Sequence, residues 1–321
     1  MDFLANYFSS LNPMSFLSAL PGNIAQGIIW GLMGLGVFLT FKLLNFADLS
    51  VDGSFATGGA VTAVMLINGC PVWATIIVAI LAGLAAGLVT GLLHTLLGIP
   101  DILAGILTQI ALYSINLNIM GKSNLPISYR NYTLVVSASN INMAILVGLG
   151  ICAVVVAAMY WYFGTEQGST IRSTGSNPAM SKAQGININV AKVIALAVSN
   201  GLVAFAGSLF AQYQGFADIN MGRGAIVIGL AAVIIGEVLG EAIFRKRMNF
   251  VVKMLFVIVG GILYYIAMGI VLWLKMPTDD TKLFTAIIVA IFLAVPYLQK
   301  KSKTSFKKVA KMNLKANKAN G

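Results

Sequence analysis

Residues 141–189 read INMAILVGLGICAVVVAAMYWYFGTEQGSTIRSTGSNPAMSKAQGININ. Residues 141–163 carry no charge, and a helix needs about 20 apolar residues to cross a bilayer. The next 26 residues, 164–189, are polar and hold Glu166, Arg172 and Lys182, and from 193 to 217 charge is again absent. The chain therefore crosses a membrane, builds something water-soluble, and crosses again. The composition agrees: 58% of its 321 residues are hydrophobic, 10% are charged, and the mean hydropathy is +0.88. Soluble domains carry about 25% charge. The fold class is all-α and polytopic, with about 8–10 transmembrane helices.

Nine runs are long and apolar enough to span: 22–41, 53–69, 71–94, 101–120, 141–163, 190–213, 223–243, 252–274 and 283–299. The run 53–69 is short and Gly-rich, as expected of a broken or re-entrant helix. Residues 1–21, with Pro13 and Pro21, read as an interfacial segment ahead of a 22–299 membrane domain. MDFLANYFSS lacks the basic start of a cleavable signal peptide. Cys70 and Cys152 have no metal or redox spacing and read as unpaired apolar residues.

Lys and Arg favour the cytoplasmic side. The 300–321 tail begins with the first of eight lysines and is placed inside. Counting back puts 164–189 and the loop of Arg245, Lys246 and Arg247 inside, and loops 121–140 and 275–282 outside. Lys122, Arg130, Arg223, Lys275 and Lys282 then lie outside, and the other 16 of the 21 basic residues lie inside. Such a tail contacts anionic lipid, and no nucleic-acid partner is expected.

Within the polar stretch, Asn177 suits an N-cap, Pro178 the first helical position and Gly185 the residue past the end. Together they specify an isolated helix of about two turns over 178–184. Two turns are marginal alone in water, so the membrane domain or a partner must hold it. Its apolar residues Ala179, Met180 and Ala183, followed by Ile186, form a small face beside Ser181, Lys182 and Gln184. Two readings stand: a connector lying on the membrane, or a helix that docks into a partner's groove.

RSTGSNPAMSKAQGININVAKVIALAVSNGLVAFAGSLFAQYQGF, residues 172–216, resembles the branched-chain-amino-acid-type permease family of ABC importers. Arg172, the short helix, Gly185-Ile186-Asn187 and Ala206-Gly207 carry the likeness. GIIWGLMGLGVFLTFKLLNFADLSVDGSFATGGAV, residues 27–61, resembles the same family, most closely the tryptophan/tyrosine-type or uncharacterised branch. The resemblance implies that the short helix is a coupling helix docking on a separate ATPase. It assigns Arg172, Asn177, Pro178, Ala179, Met180, Lys182, Ala183 and Gly185 to that contact. It further implies an extracytoplasmic substrate-binding protein, a second permease copy forming a homodimer, and a bacterial cytoplasmic membrane.

The chain lacks its own ATPase site and needs no cofactor of its own. The P-loop requires GxxxxGK[ST], and before Gly121-Lys122-Ser123 the first glycine is replaced by Asn116. ATP would be bound by the partner subunit. The single histidine, His94, reads as a helix-end residue. An intramembrane enzyme finds no motif.

Ionisable residues at membrane depth carry a functional hypothesis. Asp48 and Asp52, four apart, would share a helix face near the inner boundary, either as boundary carboxylates capping a helix or on a path. Glu237 falls in the seventh run, at a gate or paired with a basic residue such as Arg245. Ser199 and Asn200 sit mid-way along the sixth run, and Gln109, Tyr113 and Asn116 recur at helical spacing along the fourth. Such residues line a path or hydrogen-bond between helices. Gly83, Gly87 and Gly91 argue for close helix packing. Phe46-Ala47-Asp48 recurs as Phe216-Ala217-Asp218 on the opposite side of the membrane, as an inverted repeat would have it.

The function expected is the membrane permease subunit of an ABC importer for a small solute, an aromatic or branched-chain amino acid. The alternative is a stand-alone secondary transporter or channel, which would need an ionisable coupling site at mid-depth.

Overall fold

The computed structural model describes residues 13–128, 132–244, 248–274, 283–292 and 294. The basic tail, the Arg245–Arg247 loop, the 275–282 loop and residues 1–12 lie outside the described residues.

The first helix, α1, spans Pro13–Phe38 and continues through one π-helical turn, Leu39–Leu44. It ends where Asn45 adopts a left-handed conformation (φ 56°). The segment expected to lie apart at the interface is thus, from Pro13 onward, the start of this helix. Pro21 sits inside it, and a membrane helix tolerates the one hydrogen bond lost there.

Then follow α2 (Val51–Ile67), α3 (Val72–Leu96), α4 (Asp101–Met120), α5 (Ile141–Gly164), α6 (Glu166–Ser176) and α7 (Pro178–Ala183). After them come α8 (Ile188–Gln214), α9 (Ala225–Phe244), α10 (Phe250–Trp273) and α11 (Leu283–Phe292). Seven of these helices, α1, α3, α4, α5, α8, α9 and α10, are long and apolar enough to cross a bilayer. The helices α2 and α11 are shorter, and together the nine account for the nine apolar runs. Polar side chains and glycines set the limits. Asn187 caps α8 by accepting from the Val190 N–H at 3.2 Å, and Gly121 and Gly215 end α4 and α8 at φ 67° and 77°.

The helix α8 is the centre of the bundle. Gly83, Gly87 and Gly91 of α3 face the α8 backbone at Asn200, Leu196 and Val193, so the two helices run antiparallel in backbone contact. Ser54, Gly58 and Thr62 of α2 meet Asn200, Ala204 and Ser208 of α8 in step, so α2 runs parallel to α8, and Gly207 abuts Phe55 where they cross. Trp30 of α1 fastens the crossing: its ring stacks on Phe55 at 4.8 Å and meets Phe210 edge-on at 5.3 Å.

The same relations recur inverted. The helix α9 follows α8 as α2 follows α1, and it packs parallel to α1, with Gly229 against Met33 and Val37. Gly260 and Gly261 of α10 lie on Ala232 of α9 and Gly27 of α1, as α3 lies on α2 and α8. Val289 of α11 joins Ala231, Ile235 and Tyr264 in a cluster on α9 and α10, as α4 packs on α2 and α3. Helices α1–α4 and α8–α11 are therefore two halves of opposite direction. A two-stranded antiparallel ladder pairs β1 (Asn124–Pro126) with β2 (Phe216–Asp218), putting Leu125 opposite Ala217.

Candidate functional site

In each half, a Phe-Ala-Asp segment precedes a helix that starts inside the membrane. Asn200 lies 12 residues after the first residue of α8 and 14 before its last, so it marks mid-depth. The Ser54 hydroxyl donates to the Asn200 Oδ1 at 2.6 Å and the Ser50 hydroxyl at 3.1 Å, which sets the start of α2 at that level. The α9 start is fixed to the same level: the Gly224 and Ile226 N–H groups donate to the Asp52 carboxylate at 2.9 and 2.8 Å. Two positive helix ends thus converge at mid-depth with a carboxylate between them. Asp52 caps the N-terminus of the other half's helix, not its own.

Asp48 is not helical, so it does not share a helix face with Asp52, and it lies at mid-depth, not at the inner boundary. The reason is that residues 45–50 turn back into the bundle before α2 begins. Asp48 is 2% exposed and accepts the Asn200 amide N–H at 2.7 Å, the Ser50 N–H at 2.9 Å and the Ser50 hydroxyl at 2.5 Å. Three donors thus converge on this buried carboxyl group. Ser199 donates to the Gly36 carbonyl at 2.8 Å. Asp48, Ser199 and Asn200 therefore bind helix to helix behind the cavity described next.

That cavity, of about 290 Å³, is lined by Asp52, Gln109, Tyr113, Asn116 and Arg223, with Gly53, Ala56, Ile110 and Ile219. The structure brings together Asp52 and the helical row Gln109, Tyr113 and Asn116. It adds Arg223, which sequence reasoning placed at the outer end of a span. Hydropathy counting treats the first residue of an apolar run as a membrane edge, but α9 begins at mid-depth, and Arg223 comes with it. The second Phe-Ala-Asp was the signal that could have revealed this.

Glu237 lies apart, toward the far end of α9, where its carboxylate accepts from the Lys42 ammonium at 2.7 Å. Its partner in the structure is the end of α1; Arg245, the basic residue named from sequence, lies outside the described residues. Both side chains are over a third exposed, so the pair is worth at most about 1 kcal/mol. Reversing Lys42 to Glu should lower the melting temperature of the purified chain, and adding Glu237→Lys should recover most of the loss. A double variant no better than the single would show that the pair contributes nothing. His94 bonds the Ile99 carbonyl through Nδ1 at 2.8 Å and the Lys192 ammonium through Nε2 at 2.9 Å, joining α3 to α8 at their shared end.

At that same end, α7 has the two turns its sequence specifies. Asn177 Oδ1 accepts the Met180 N–H at 3.1 Å, with Pro178 in the first turn. Gly185 takes φ 81°, its N–H bonding the Lys182 carbonyl at 3.0 Å, while the Ile186 N–H bonds Ser181 at 3.1 Å. Burial along this helix is inverted. Ser181 is buried, at 1% exposure, while Ala179 and Ala183 are exposed and Met180 is 58% exposed. A helix resting on its own protein would turn these the other way.

The helix α6 was not anticipated, because STIRSTGS lacks an apolar period. Thr165 caps it, and Ile171 and Thr174 are buried beneath it. Gly175 presses on the Leu43 carbonyl so closely that a Cβ would collide with it. Arg172, exposed on α6, sets its guanidinium 5.9 Å from the ring centre of Phe250, at the start of α10. Through α6, α7 is thus tied to the ends of both α1 and α10.

The family model for the branched-chain amino acid transport system permease component matches residues 22–296. A tyrosine transport system permease protein of Clostridioides difficile is 41% identical over 301 residues, 93% of this chain and 99% of that protein. An uncharacterised protein of Rickettsia prowazekii is 31% identical over 84% of this chain and 95% of its own. The solved PsaBC complex of Streptococcus pneumoniae with a Fab matches with a TM-score of 0.51 at 16% identity. It covers 91% of this chain and 94% of that one, a likeness of fold.

Proposed function

We propose, since the chain belongs to the family of branched-chain amino acid transport system permease components, that it is the membrane pathway of an ATP-driven amino acid importer. It is a multi-pass transport subunit, and the nucleotide is hydrolysed by a partner. The observation that carries this reading is the outward apolar face of α7, where Ala179, Met180 and Ala183 stand exposed on a helix capped at both ends. Such a face suits a groove on an ATPase subunit. Movement of that subunit passes through α6 to the ends of α1 and α10, and from there to the helices around the mid-depth cavity.

The wider assembly would hold two copies of this chain, two ATPases and an extracytoplasmic binding protein in a bacterial cytoplasmic membrane. The solute would be an amino acid, aromatic in the first instance, given the tyrosine permease relative. Solubilising the native membrane and capturing the chain should recover an ATPase. Reconstituted with it and with the binding protein, the chain should take up L-tyrosine or L-leucine only when ATP is inside. Capture without an ATPase, or uptake driven by an ion gradient alone, would replace this reading with a secondary transporter.

A further inference from the structure

Three polar features at the mid-depth cavity are unexplained by the folding of the chain. Asn116 is 1% exposed, yet neither its amide nitrogen nor its amide oxygen has a hydrogen-bond partner. Leaving a buried polar group unpaired costs about 1–3 kcal/mol, so such groups are rarely kept without use. Arg223 is an exposed guanidinium at the level of Asp52 and Asn200, halfway through the membrane. Its backbone N–H bonds the Asn220 carbonyl, but its side chain forms no salt bridge with a described carboxylate. Charge at this depth faces a cavity or a ligand, because lipid does not solvate it. Finally, the N-termini of α2 and α9 converge here, and such half-helix ends attract anionic groups.

We propose that this cavity is a binding site for the backbone of an α-amino acid, with its carboxylate and ammonium groups read separately. The assignment rests on the proposed amino acid import and deepens it: the permease itself, and not only a binding protein, recognises the zwitterion. Arg223 meets the carboxylate with the planar pair of donors that such a group accepts. Asn116 offers one donor and one acceptor, so its unpaired amide serves both ends of the zwitterion. Asp52 keeps acceptor capacity beyond the two N–H groups it holds, and takes the ammonium. Ile110 and Tyr113, 62% and 44% exposed on the same wall, are left for the side chain. The volume of about 290 Å³ sits at the lower end of small-molecule sites, about 300–1,000 Å³, which suits one free amino acid better than a peptide.

The test measures direct binding of radiolabelled L-tyrosine and L-leucine to the purified full-length chain in nanodiscs, without the binding protein. Tyramine, which lacks the carboxylate, and 3-(4-hydroxyphenyl)propionate, which lacks the ammonium, serve as competitors. The expected result is competition by either amino acid and at least tenfold weaker competition by both analogues. Arg223→Gln should weaken amino acid binding at least tenfold while leaving tyramine's weak competition unchanged, and Arg223→Lys should restore part of the loss. Asn116→Leu should also weaken binding, by about tenfold. Equal competition by tyramine, or absence of saturable binding of either amino acid, would overturn the site. The native chain decides this even where a variant fails to fold. ATP-driven uptake by the full complex is run in parallel. Uptake without binding to the chain sinks the site and spares the importer, whereas failure of ATP-driven amino acid uptake sinks the importer.

Discussion

Changing Met180 to Asp together with Lys182 to Glu should lower ATP-driven uptake by about 100-fold or more while leaving the chain inserted and folded. Both side chains are exposed on α7, so the fold does not depend on them. An anion in place of Met180 would need desolvation in an apolar groove, and reversing Lys182 would repel whatever acid it meets. Central interface residues of this kind cost about 2 kcal/mol or more each. Two such losses amount to roughly a thousandfold in affinity, since each 1.4 kcal/mol is tenfold. Uptake by reconstituted vesicles and recovery of the ATPase on capture should fall together. Full uptake by the double variant would move the contact away from α7. A chain that still held its ATPase but transported nothing would instead locate the effect in transmission through α6.

The second large effect is expected at Asn200. Replacing it with Leu removes the amide that donates to Asp48 and the carbonyl oxygen that accepts from Ser50 and Ser54. Asp48 would remain buried with only the Ser50 groups to hold it. Leaving a buried polar group without its partner costs about 1–3 kcal/mol, and more where it is charged. The purified Asn200→Leu chain should melt well below the native one or fail to leave detergent extraction as a single species. Adding Asp48→Asn should recover much of the loss, because the residue that remains is then neutral. A single variant as stable as the native chain would mean that the network contributes little and that α2 is held at mid-depth by the Gly58 and Gly207 contacts alone.

The spans and helix ends were legible in the sequence because each rests on a local rule. Bilayer thickness fixes the length of an apolar run, and Asn177, Pro178 and Gly185 each act on the backbone beside them. The glycine triplet of α3 was legible for a related reason, since its spacing places three gaps on one face. What escaped was depth. Asp48 and Arg223 stand at the edges of apolar runs, and hydropathy assigns edges to the membrane surface. Their true level depends on turns that re-enter the bundle, the first held by Asn200, 152 residues from Asp48, and the second by Asp52, 172 residues from Gly224. The α6 helix escaped as well: its stability comes from the tail of α1 beneath it, not from its own periodicity.

The helix α5 belongs to neither half, and only 22% of its apolar window is buried. Its importance is one of parity. Four crossings return a chain to the side from which it began, so α8–α11 joined directly to α1–α4 would point the same way as the first four. One further crossing reverses them. A sparsely packed helix thus decides that the two Phe-Ala-Asp elbows enter from opposite faces, that α2 and α9 meet head to head, and that α6 and α7 emerge at the end of the bundle opposite the β1–β2 ladder.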